Sequence, residues 1–210
     1  MNTGPTARAA PAELAAPAEL AALDGPGGLT VLARAQWPAR DDDVLPPIPG
    51  FIVSSFSPLV AELAERCLRR YFGVHPADRA RGERTGVLLA STTGDLATAA
   101  AIAEAVDAGR RVPPLLFYQS SPNAVVGHLT ARWGLAGPVV CTSPAAGALT
   151  DALQGAALLI EDGDAAAVLV IVAEQGRAGA GAGAGDDHGT AMLVGPRAWP
   201  PAATRQESER

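Results

Sequence analysis

Apolar positions along this chain come in two alternating patterns. Short, largely apolar runs at Leu29–Ala35, Thr85–Ala90, Val139–Cys141, Ala166–Ala173 and Gly189–Val194 read as strands. Those rich in β-branched residues suit strands covered on both faces. Between them lie stretches with helical spacing. Ser57-Pro58 opens a helix through Tyr71, with Val60, Leu63, Ala64, Cys67 and Leu68 along one face. Ser91-Thr92-Thr93-Gly94-Asp95 caps a helix running to about Ala108. From Pro114 to Glu174 the order is helix, short buried strand, tight turn, long helix, buried strand. Ser143 and Pro144 suit the cap and first turn of that long helix, predicted over Ala145–Ile160, because proline lacks an N–H that no carbonyl there could accept. The alternation predicts an α/β fold in layers, a mixed sheet flanked by helices.

Punctuation sets the domain limits. Residues 1–28 are rich in Ala, Pro and Gly and repeat the hexad Ala-Pro-Ala-Glu-Leu-Ala, so prolines break any long helix and few leucines can be buried. A disordered extension is expected there, one folded domain over 29–195, and a polar tail over 196–210. The Ala/Gly run Ala178–Gly185 reads as low-complexity loop.

Composition narrows the functional classes. The formal net charge is −6, which gives no reason to expect nucleic acid or an anionic membrane as partner. Arg66, Arg69, Arg70, Arg79, Arg81 and Arg84 are the one basic cluster and read as a solvated face. Aromatics make up 4%, so small side chains must build the core. Cys67 and Cys141 are too few for a disulfide framework, and Cys67 reads as a small core residue. No apolar run is long enough to span a membrane and no compact secretory signal is seen, so a cytoplasmic protein is expected. Asp41-Asp42-Asp43 reads as a solvated loop, since three adjacent residues cannot complete a hard-cation site. Asp186, Asp187 and His188 are a weak metal set. No cofactor and no metal are expected.

The central stretch resembles the N-terminal half of β-ketoacyl synthases, the condensing enzymes with the thiolase-like fold. Asn123-Ala124-Val125-Val126-Gly127-His128-Leu129-Thr130 matches the family's Asn…Gly-His-Leu helix. Gly134-Leu135-Ala136-Gly137-Pro138 matches its Gly-Leu-x-Gly-Pro turn, Gly163-Asp164-Ala165 its Gly-Asp-Ala turn, and Glu174 the acidic residue closing the next strand. The resemblance implies a thiolase-like half-fold. It also places the family's nucleophilic Cys on Ala146, eight residues beyond Pro138, where a methyl group can neither lose a proton nor attack a thioester. The two catalytic His of the family belong to a C-terminal half that this chain does not contain.

Substitutes for the nucleophile are poor. Cys141 lies inside a predicted strand, where apolar surroundings raise a thiol pKa. Ser143 has no His placed to activate it. His75, His128 and His188 do not match the family's pair, and His128 reads as structural. The implied role is a non-catalytic ketosynthase-like subunit, akin to a chain-length factor, paired with a Cys-bearing ketosynthase or with itself in fatty-acid or polyketide elongation. The interface implied by the family is strand 138–143 with helix 123–134, namely Asn123, Val126, His128, Trp133, Pro138, Val139, Val140, Cys141 and Thr142. Acyl carrier protein is a further possible partner. The alternatives are altered thioester chemistry, decarboxylation or acyl transfer on the same scaffold, or a module that binds acyl chains or carrier protein.

Overall fold

The structure is a computed structural model that describes residues 28–40, 42–176, 187–196 and Trp199. The N-terminal extension (apart from Gly28), Asp41, the Ala/Gly run, Asp186 and most of the polar tail lie outside the described residues. Five strands form one mixed sheet: β1 (Leu29–Trp37), β2 (Thr85–Ala90), β3 (Val139–Thr142), β4 (Ala167–Glu174) and β5 (His188–Pro196), in the order β1-β5-β4-β2-β3. β4, β2 and β3 run parallel; β5 and β1 are antiparallel to their neighbours.

Parallel neighbours need crossovers, which helices supply. The helices are α1 (Phe56–Phe72), α2 (Arg79–Gly82), α3 (Leu96–Asp107), α4 (Pro114–Gln119), α5 (Pro122–Trp133) and α6 (Ala148–Glu161). Alternate residues of the central strands serve opposite faces. Val87, Leu89, Leu169, Ile171 and Leu193 pack with α1 and α5, while Leu88, Val168, Val170 and Met192 pack with α6. That is why β2 and β4 read as largely apolar runs.

Several expectations need correction. β3 is not a buried strand: it has β2 on one side only, and Val139 is 44% exposed. α6 starts at Ala148 rather than Ala145, because the left-handed Gly147 (φ 66°) turns the chain in just before it. Ser143 therefore does not cap α6, and Pro144 lies outside its first turn. Trp199, assigned to the tail, stacks on Tyr71 with centroids 5.7 Å apart. α2, too short to leave a periodic signal, was not foreseen; Asp78 caps it by accepting the Arg81 N–H.

Candidate functional site

The C-terminal ends of β2, β3 and β4 meet at one edge of the sheet, and their loops are tied together there. Glu174, the last residue of β4, accepts from the Thr92 N–H at 2.5 Å, the Thr93 N–H at 3.2 Å, the Thr93 hydroxyl at 2.8 Å and the Ser91 hydroxyl at 3.3 Å. A carboxylate taking several donors at once fixes a loop more firmly than any neutral acceptor could. The Ser91 N–H donates to the Thr142 carbonyl, joining the loop after β2 to the end of β3. The next residue, Gln175, accepts from the Ala97 N–H and donates to the hydroxyls of Ser54 and Ser55, pinning α3 and the start of α1. Gln119 makes a similar clamp, both accepting from and donating to the backbone of Ile52.

Within this frame the turn from Ser143 to Gly147 is exposed except at Pro144, and Ala146 presents its methyl group to solvent. Ser143 donates to the Thr92 carbonyl at 3.2 Å. Cys141 points to α5, where its thiol donates to Asn123 Oδ1 at 3.0 Å; burial pushes its pKa up. The hydrogen bonds of this hydroxyl and this thiol thus run to a carbonyl and an amide, not to an imidazole. His75 sits edge-on to Trp133 and His128 edge-on to Phe51. His188 faces Glu174 across the β4–β5 ladder. Among the described residues no three His, Cys, Asp or Glu side chains converge as a metal ion would require, and no helix is long and apolar enough to cross a membrane.

The residues expected at an interface divide in two. Asn123, His128, Val139 and Thr142 are exposed, and Pro138, Val140 and Cys141 are half-buried. Val126 and Trp133 are fully buried in the chain's own core, so neither adds surface to the edge. Val126, Leu129 and Trp133 lie at helical spacing along one stripe of α5, a periodicity that was available in the sequence. Trp133 also donates through Nε1 to Glu65 Oε2 at 2.8 Å.

Four of the six arginines in the basic cluster, Arg69, Arg70, Arg79 and Arg84, are exposed, as a solvated face requires, while Arg66 and Arg81 are half-buried. Arg66 bridges Asp43 (2.9 Å) and Glu62 (2.5 Å) and lies over the Trp37 ring; Arg69 pairs with Glu65 and Arg79 with Glu83. The hydrogen bond from Arg66, helped by the Ala39 N–H, lowers the Asp43 pKa to about 2.

The profile described as "Beta-ketoacyl synthase, N-terminal domain" matches residues 59–177. A comparison with curated proteins returned no match. Among solved structures, a ketosynthase in complex with its chain length factor from Xenorhabdus doucetiae is similar at TM-score 0.60 and 18% identity, over 80% of this chain and 79% of that one. The ishigamide ketosynthase/chain length factor matches at TM-score 0.57 and 22% identity, over 78% of this chain and 49% of that one. A type II polyketide synthase acyl-carrier protein in complex with its ketosynthase matches at TM-score 0.52 and 17% identity, over 69% of this chain and 48% of that one. The chain thus spans about half the length of the latter two.

Proposed function

The chain belongs to the β-ketoacyl synthase family through its N-terminal domain, and from that membership we propose that it is a non-catalytic subunit pairing with a Cys-bearing ketosynthase in acyl-chain elongation. One observation carries the reading. Ala146 stands where the family resemblance places the nucleophile, and the nearby Ser143 and Cys141 are both engaged with oxygen acceptors. A methyl group forms no acyl-enzyme.

Three features support a partner. Among the described residues β3 pairs on one side only, as an edge strand open to a neighbouring chain does. α3 and α4 bury little of themselves, leaving Val106, Phe117 and Tyr118 at 58–60% exposure on the same molecule. The Xenorhabdus relative, matched over nearly equal shares of both chains, comes from a ketosynthase–chain length factor complex.

The test is co-expression of the tagged chain with the Cys-bearing ketosynthase encoded nearest to it. We expect a stable complex and a product distribution that shifts in chain length when this subunit is withheld. Failure to co-purify, together with unchanged products, would sink the proposal. So would condensation, or turnover of malonyl-loaded carrier protein, by this chain alone with loss on Ser143→Ala.

A further inference from the structure

The opposite end of the parallel strands carries a second feature. Arg84 immediately precedes β2 and Ala166 immediately precedes β4, and the Arg84 carbonyl accepts the Ala166 N–H at 2.8 Å. Beside this junction opens a cleft of about 640 Å³, walled by Arg81, Arg84, Asp78, Ile160, Ala166 and Trp199 among others. It lies at the far end of β2 and β4 from the Ser143–Gly147 turn, and it owes nothing to the proposed partnership.

Its charges are unbalanced. Arg66, Arg69, Arg79, Arg110 and Arg132 each have a carboxylate within ion-pair distance, whereas among the described residues neither Arg81 nor Arg84 does. Arg81 Nη1 is sealed from solvent and has no hydrogen-bond acceptor among the described residues. The one carboxylate in the wall, Asp78, is used at the start of α2, where it accepts the Arg81 backbone N–H at 3.3 Å. A guanidinium with no carboxylate partner and one unsatisfied nitrogen is a poor resting arrangement, and an oxyanion against the part of Arg81 that lines the cleft would supply the missing countercharge.

The remaining wall is apolar and flat. Trp199 stacks on Tyr71 at an interplanar angle of 17°, and Ile160 and Ala166 add aliphatic surface. Burial raises the Tyr71 pKa while the Arg81 charge pulls it back, so the cation and the aromatic pair share one locality.

We propose that this cleft binds a small molecule bearing a phosphate or carboxylate on an aromatic or apolar body. Arginine suits either headgroup, because its planar fork matches two oxygens at once. The stacked rings and aliphatic wall would take the body of the ligand.

The experiment is calorimetric titration of the full-length chain, at fixed ionic strength, with phenyl phosphate, benzoate, inorganic phosphate and phenol. At least one of the two ring-bearing anions is expected to bind saturably and more tightly than phosphate, with phenol not binding. Whichever anion is tighter identifies the headgroup. Arg81→Gln should weaken that binding by about tenfold or more, as loss of a charge-assisted bond does. Arg84→Gln serves as the second variant should Arg81→Gln fail to fold. Absence of saturable binding by both ring-bearing anions, or binding unchanged in the folded variants, overturns the proposal.

Discussion

Glu65 is where two elements, α1 and α5, are stitched by one side chain. It accepts from Trp133 Nε1 at 2.8 Å and from Arg69 at 2.7 Å, and it lies 3.5 Å from Arg132. Burial pushes its pKa up, but those hydrogen bonds and the Arg132 charge outweigh it, so the folded value lies below the ordinary one. A depressed carboxylate contributes stability above its unfolded pKa and loses it as pH falls through the folded pKa. The urea midpoint should therefore drop as pH falls below about 5, and drop less steeply in Glu65→Gln. Trp133→Phe keeps most of the ring volume and should cost about 1 kcal/mol in urea unfolding, whereas Trp133→Ala should cost about 3–5 kcal/mol. The two thiols differ in a way that alkylation can read. Burial pushes Cys67 up to about 12; burial also raises Cys141, which is only half-buried and so within reach of solvent. In native protein at neutral pH, iodoacetamide followed by mass spectrometry should leave Cys67 unlabelled and label Cys141 slowly; denaturant should expose both. At this scale the sequence was partly legible. Cys67 could be recognised as core from its place in the α1 stripe, but no local spacing marks Glu65 as the partner of an inward-facing Trp133.

At the scale of elements, the joint between α5 and β3 shows how little room the layers leave. A Cβ on Gly137 would stand 2.6 Å from both the carbonyl carbon and oxygen of Thr85, and 2.7 Å from the Gly86 nitrogen. Backbone on both sides cannot step aside as a flexible side chain would. Gly137→Ala should cost about 3 kcal/mol or more, measured by urea unfolding, with the β2–β3 pairing lost first in hydrogen exchange. Strand positions were readable because Val87–Ala90, Ala167–Ala173 and Ala191–Val194 are short runs without a polar residue, the mark of a sheet covered twice. The start of α6 was not, since Ser143-Pro144 is good capping chemistry in isolation. What overrides it is the left-handed turn at Gly147 and the engagement of Ser143 with Thr92 across the loop. Periodicity reports that a helix exists far better than where it begins.

For the molecule as a whole, the order β1-β5-β4-β2-β3 leaves one short strand at the parallel margin. The pattern of apolar runs could supply the strands but not their neighbours, because adjacency depends on crossovers that local spacing does not encode. The Arg81 cleft was invisible for the same reason: its walls come from α2, the end of α6, the turn before β4 and Trp199. The proposal that Ala146 takes the family's nucleophile position, by contrast, needs only counting from Pro138. If β3 is the seam with a synthase, Val139→Lys should abolish co-purification while changing stability by no more than about 0.5 kcal/mol, because the side chain is already half in water. That same uncovered margin has a cost in the cell. On the proposed pairing, a chain made faster than its mate would be left with bare amides and carbonyls, and surplus copies would find one another instead. Yield of soluble protein should then follow the ratio in which the two are synthesised, with overproduction of this one alone lowering the soluble fraction rather than abolishing it.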